Sequence, residues 1–470
     1  MFRVLDDGFE KLRKWPLARI GLYLMLGYWG LFCDPFGLSS AADKALSDQL
    51  GRFRAFSHPV APAPVTVVAI DYPSIAGLHN DGKGWLEAND WPLTYADHGR
   101  ILRDLALPKS GEPAPAAIFY DIFFERPRTT SGDLQQLGRV LERLDANQVA
   151  SRIHLAGGGS FVPMSPQARE QLQSASLAVS AWDGVGDLYP LKAPLGTATT
   201  AEPVATAAGA LYQDLCKARA EDCRWAEAAS LPELSIQWAM TSRDDCRAEH
   251  ASALRDVISI LWRLAGLSTA AENPTAACMP VHQVRLSQLY GEHPVSLRPP
   301  RLKPGEPFVV LVGNVMPSLN DYVQSPLYGQ VAGVYLHANA LANLDERGEH
   351  YIHQSDSQIA NFLFLLVMIL MCMHLQGTLG WQVQTRKSSA AEKDSFVFKI
   401  MKTLGFTALN TLVVAVGYYL FYLANMAPDG WLALAAFMPF LWEVVLAGEQ
   451  NYSKDGPDEK AFLNPAVATC

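Results

Sequence analysis

Hydrophobic positions follow two patterns in this chain: long runs toward its two ends, and short strand- and helix-period runs between them. The long runs are residues 20–34, 357–381, 403–427 and 430–447. The second and third contain no Asp, Glu, Lys or Arg, and the fourth contains only Glu443. Apolar runs of about 17–25 residues match the hydrocarbon thickness of a bilayer, and a helix satisfies its own backbone there. Four transmembrane helices are therefore expected. Arg3, Lys11, Arg13, Lys14 and Arg19 precede the first run, and Arg386, Lys387, Lys393, Lys399 and Lys402 lie between the second and third. Basic residues mark the inner side, so residues 1–19, 382–402 and 448–470 are expected in the cytoplasm. Residues 35–356 then lie outside it, in the periplasm of a Gram-negative cell, on a multi-pass inner-membrane protein. The first run also fits a cleaved signal peptide, with small residues at Ser39–Ala41. An acid inside a span faces a partner or a cavity, which makes Glu443 a candidate membrane contact.

Between the runs the pattern changes to short strands and amphipathic helices. Ala42–Phe56 reads as a helix and His58–Pro64 as a Pro-rich spacer. Val65–Asp71, Ala116–Asp121, Val149–Ala156 and Pro307–Gly313 are short, β-branched and apolar, bounded by breakers, as buried strands are. Helix-period segments separate the first three: Thr94–Leu107, with Tyr95, His98, Ile101, Leu102 and Leu105 on one side, and Ser131–Leu144. Strands alternating with helices indicate a parallel sheet with crossovers. The expected fold is an α/β periplasmic domain of this kind plus α-helical transmembrane segments. The stretch 165–300 is harder to read. Helices are expected at Val204–Arg219, Leu234–Met240 and Ala251–Leu264, and loops at Asp183–Pro190 and Ala271–Met279. Asn314–Pro326 reads as a long loop, and Val331–His337 as leading into a helix, Ala338–Leu344.

Charge and cysteine content narrow the function. A net charge of -9 argues against nucleic acid, which needs a basic surface. Cys216, Cys223, Cys246 and Cys278 all fall in the outer segment, where an even number of cysteines suggests two disulfides. Pairing neighbours joins Cys216 with Cys223 and Cys246 with Cys278, one of three connectivities. No Cys-x-x-Cys spacing points to a metal, no catalytic motif is present, and Gly157–Gly159 reads as a plain turn. No cofactor is expected, and the chain is read as a binding protein rather than an enzyme.

Four blocks of this outer segment resemble CHASE2, an extracellular sensory domain of bacterial membrane receptors. They are Val65–Asp71; Trp91–Pro92 with Tyr95, His98 and the helix to Leu105; Ala117–Glu125; and Phe308–Gly313 followed by Asn320–Asp321, Pro326–Leu327, Gly333–Val334 and His337–Leu341. The likeness covers about 35–350. It implies an α/β sensor of an external signal. Members of the family generally continue into a cytoplasmic signalling domain, whereas residues 448–470 are short. That implies a receptor subunit signalling through a separate partner, with other membrane or envelope proteins and a second copy as candidate partners. The alternative is a structural or docking subunit of an envelope complex with no small ligand.

Ligands of open parallel sheets bind beyond the carboxyl ends of the strands. Asp71 and Asp121 end two of them. Asn314, Asp321, His337 and Asn339 are expected in loops that converge nearby, in a pocket suited to a cation, a polyol or an amine. The competing reading is that these side chains cap helices and tie loops down.

Overall fold

The computed structural model describes residues 59–81, 83–108, 112–160, 162–182, 188–196, 203–241, 246, 274–290, 293–319, 321–354 and 419–427, with scattered positions at 25, 44, 47–48, 51–52, 54–55, 366 and 416. Its centre is a six-stranded sheet of β1 (Val65–Ile70), β2 (Ala117–Asp121), β3 (Arg152–Ala156), β4 (Ser176–Ala178), β5 (His282–Arg285) and β6 (Val309–Asn314). The order is β4-β3-β2-β6-β1-β5, and every neighbouring pair is parallel. A parallel sheet covered on both faces needs strands that are apolar throughout. All of Val65–Ile70 and the first five residues of β6 are buried, as are the first four of β2.

Alternate side chains divide these strands between two cores. Val65, Val67, Ala117, Phe119, Val309 and Leu311 enter one; Val68, Ile70, Ile118, Tyr120, Val310 and Val312 enter the other. Four helices supply the second core: α1 (Tyr72–Asn80), α2 (Tyr95–Ala106), α3 (Gln135–Ala146) and α4 (Pro166–Gln171). Two supply the first, α5 (Ala207–Arg219) and α6 (Gly333–Arg347). Helix α2 begins where Thr94 accepts the Asp97 N–H, and it buries Tyr95, His98, Ile101, Leu102 and Leu105. A hairpin, β7 (Tyr322–Ser325) and β8 (Gly329–Ala332), runs directly into α6. Gly313 permits that entry: a Cβ there would lie 2.5 Å from the Cβ of Val334. The helix therefore starts against the end of β6, at Gly333 rather than at residue 338 as the pattern suggests.

The fold class requires correction in its second half. The α/β part, with its mostly parallel sheet, is present. Among the described residues, however, no helix is long and apolar enough to cross a membrane. Apart from positions 25, 366 and 416, the segments 20–34, 357–381, 403–418 and 430–447 lie outside the described residues. At the end of 403–427, Met426–Ala427 forms a short strand parallel to His353–Gln354, which a spanning helix does not do. Two units separate by contact: Asp48–Gln354 with Asn425–Ala427, and the remainder.

The expected helix at Leu234–Met240 is also overturned. Leu234–Ser235 is a strand and the following residues are extended or irregular. The expected helix at Ala251–Leu264 lies outside the described residues.

Candidate functional site

The carboxyl ends of β1, β6 and β2 lie side by side, with Ile70 level with Asn314 and Gly313 level with Asp121. The sequence-expected residues separate here into distinct settings. Asp121 continues the Ala117–Phe119 face and points toward α6. Its side chain is 11 % exposed, and Oδ2 lies 3.9 Å from Nε2 of His337, beyond hydrogen-bond length. Among the described residues no donor reaches its carboxyl group. Burial, then the charge of Asp321, pushes its pKa well above the ordinary carboxylate range.

His337 sits in the second turn of α6, not in a loop, and only 4 % of its side chain is exposed. Nδ1 lies 2.7 Å from the Tyr189 hydroxyl, whose oxygen also accepts the Ala208 N–H at 3.0 Å. The hydroxyl can donate to Nδ1 or accept from it, and Nε2 is the nitrogen that faces Asp121. Burial lowers the His337 pKa to about 4 and raises that of Tyr189, so both are neutral near pH 7. Phe119, Tyr189 and Trp182 surround the imidazole at ring separations of 5.5, 5.6 and 5.9 Å.

Asp321 closes the other side. Much of the residue is exposed, but its carboxylate is turned against Gly333 at the start of α6, where any Cβ would strike it. Its backbone oxygen accepts the Gly333 N–H at 2.9 Å, and burial of the carboxyl group raises its pKa. Asp121, Asp321 and His337 therefore gather around the first turns of α6.

A match to the CHASE2 domain model runs over residues 21–374. The chain belongs to the CHASE2 family. CHASE2 domains are typically extracellular or periplasmic sensory domains. No curated protein matches the chain. No solved structure matches it either.

The remaining candidates in this CHASE2 domain do structural work or lie apart. Asp71 caps α1 by accepting the Ser74 N–H at 2.9 Å, and Arg285 approaches it at 3.7 Å. Asn314 continues the Val310–Val312 face, which directs it to the opposite side of the sheet from Asp121. Its Oδ1 is buried without a partner among the described residues. Asn339 is fully buried inside α6, donating to the Tyr335 carbonyl oxygen one turn earlier. Glu443 lies outside the described residues. Disulfides join Cys216 to Cys223 and Cys246 to Cys278, the neighbour pairing. Cys216, Glu221 and Cys223 have metal-ligand proximity, but both thiols are committed to the bridge. Gly158 and Gly159 make a close-packed turn in which side chains would strike the carbonyls of Val162 and Ala181.

Tyr189, Trp182 and Phe119 were not among the sequence candidates. Neither was the role of His98, the counterpart of His337 on the other face. Its Nδ1 is 2.7 Å from the buried Tyr120 hydroxyl, and burial, opposed by Asp97, lowers its pKa to about 4. A depressed histidine pKa favours folding above the unfolded value of about 6.5, and that contribution is lost as pH falls toward the folded value. Going from pH 7.5 to 5.5 is expected to remove about 1 kcal/mol through His98. Asp121 works in the opposite direction, since a raised carboxyl pKa favours the fold at lower pH. Chemical denaturation of wild type and His98→Gln at both pH values isolates the term. The variant should lose about 1 kcal/mol less than wild type on acidification; equal losses exclude it.

Proposed function

We propose that this CHASE2 domain senses a small solute at Asp121, Asp321 and His337, and passes the change to a separate partner protein. The domain acts outside the cytoplasm, by binding rather than by catalysis. One observation carries the reading. Asp121 is a largely buried acid that no donor reaches, with Nε2 of His337 3.9 Å away, among the described residues. Neither its oxygens nor Nε2 of His337 is among the side-chain atoms buried without a partner, so they remain open to contact from outside. A pair left open at the carboxyl end of a parallel sheet suits a site completed by a ligand. The site also has a route outward. The ligand would touch the first turns of α6, and α6 packs along the sheet to the 348–354 segment that ends the domain. A ligand that prefers one seating of α6 shifts the population toward it.

The test is thermal melting of the full chain against a solute library, with wild type and Asp121→Asn compared. The variant removes an acid that burial disfavours, so it should melt at or above the wild-type temperature. A solute that raises the melting temperature of wild type by several degrees and leaves the variant unmoved supports the reading. Stabilisation of both proteins alike places the ligand elsewhere. A null library result, joined to stoichiometric copurification in an envelope complex that survives Asp121→Asn, would replace sensing by docking.

A further inference from the structure

We propose that Asn425–Ala427 is a strap, a short strand held by the CHASE2 domain at the foot of α6, through which the seating of that helix reaches the chain on either side. This supplies the step after α6 in the sensory reading above, and its test needs no ligand, so either can fail alone. Asn425–Ala427 groups with the domain, whereas Ser355–Ala424 and Pro428–Cys470 group with the second unit. The chain thus joins the two units at four peptide links, Ser47–Asp48, Gln354–Ser355, Ala424–Asn425 and Ala427–Pro428. The last three meet in one short ladder, where His353 pairs with Met426 and Gln354 with Ala427.

Two routes tie this ladder to His337. The first is α6 itself, one helix from Gly333 to Arg347 with His337 in its second turn. In its last turn Nη1 of Arg347 donates to Oδ1 of Asn425 at 3.1 Å. The His353 N–H reaches the Asn425 carbonyl oxygen at 3.2 Å. The second route is a four-stranded sheet that runs from Met426–Ala427 through His353–Gln354 and Leu234–Ser235 to Leu188–Tyr189. Leu234 sits level with both His353 and Tyr189, and the Tyr189 hydroxyl is the partner of His337 Nδ1. A change at His337 therefore reaches the strap through the helix and through the sheet.

The grip is weak enough to open. The ladder is two residue pairs long, and Asn425, Met426 and Ala427 are only half-buried. In the central sheet, by contrast, β1 pairs with β6 over six residues. Short, half-exposed ladders open at the low end of a protein's stability range, independently of its core. Asn425 takes a left-handed φ of 57°, a conformation that asparagine tolerates better than most residues. It turns the chain from the helical residues 419–423 into the strand. One residue thus makes the turn and supplies the oxygen that Arg347 holds. The two states that α6 biases are the strap docked and the strap open.

Hydrogen exchange on the full chain tests this, read on peptides covering 352–355 and 424–428, with β6 as the control for global opening. Asn425→Gly keeps the left-handed turn and loses the Arg347 bond. Exchange at His353 should quicken about tenfold in that variant while β6 exchanges as in wild type. Arg347→Met should do the same, and Asn425→Asp, which keeps the acceptor, should exchange as slowly as wild type. His337→Gln should change strap exchange about threefold, and by less once Asn425→Gly has cut the link to α6. Tyr189→Phe perturbs the same helix turn more gently and decides the matter if β6 also quickens in His337→Gln. Equal exchange in wild type, Asn425→Gly and Arg347→Met overturns the strap. So do wild-type rates at 352–355 and 424–428 in both His337→Gln and Tyr189→Phe. A solute that stabilises the protein through Asp121 while strap exchange stays fixed also overturns the strap, and leaves the sensory site standing.

Discussion

Truncating Phe119 to alanine is expected to lower the unfolding free energy by about 3–5 kcal/mol. The ring is fully buried between β2 and the helices α5 and α6, in the same core as Phe119's strand neighbours Ala117 and Leu311. Removing it forfeits the transfer of an aromatic side chain from water and leaves a cavity that a parallel sheet, held on both sides, cannot collapse to fill. The functional consequence follows from position. Phe119 lies two residues before Asp121 on the same strand face, and its ring meets the His337 imidazole edge-on at 5.5 Å. The imidazole should become mobile in the truncated protein, so any solute bound at Asp121 should bind more weakly than stability alone would dictate. Phe119→Leu keeps most of the volume and should cost about 1 kcal/mol with little change in binding. Urea titrations at constant slope measure the first effect. A loss below about 1.5 kcal/mol for Phe119→Ala would mean that the two helices do not clamp this face.

The strands that build the site were legible because their burial is complete. Val65–Ile70 and Val309–Val312 need apolar side chains on both faces, and that requirement writes a continuous run into the sequence. Helix α2 was legible from its one-sided apolar period, the side the fold buries. The edge strand β5 was not, because only Val284 of its four residues is buried, and a polar edge looks like a loop. At Leu234–Met240 the period was misread. Leu234, Ile236 and Trp238 are buried while Ser235 and Gln237 between them are not, a period of two and therefore an extended chain rather than a helix.

The site was half legible for a related reason. An acid that ends an apolar strand is visible in sequence, and Asp121 is such a residue. Which face it takes depends on register: one residue's difference directs Asn314 to the opposite face. His337 reaches Asp121 only because Gly313 lets α6 begin at Gly333. Tyr189 comes from a two-residue strand, too short to carry any period, and its link to His337 spans 148 positions. Contacts of that kind leave no local trace.

The second large effect expected is on the bridge between Cys246 and Cys278. It closes a loop of sequence separation 32, against 7 for Cys216–Cys223. Chain-entropy scaling gives about 3.7 kcal/mol for the longer loop and about 2.4 kcal/mol for the shorter. The longer bridge also joins two buried positions in the core beneath α6, where Met279 meets Asn339. A Cys246→Ser, Cys278→Ser protein should therefore lose about 1 kcal/mol more than a Cys216→Ser, Cys223→Ser protein, and both should melt below wild type. Reductant should lower the melting temperature of wild type and leave the quadruple serine variant unmoved. Equal stability of the two paired variants would show that native contacts, not loop closure, set the value of these bridges. If wild type proves indifferent to reductant, neither bridge contributes to the folded state, and the expectation of an oxidising compartment loses its energetic basis.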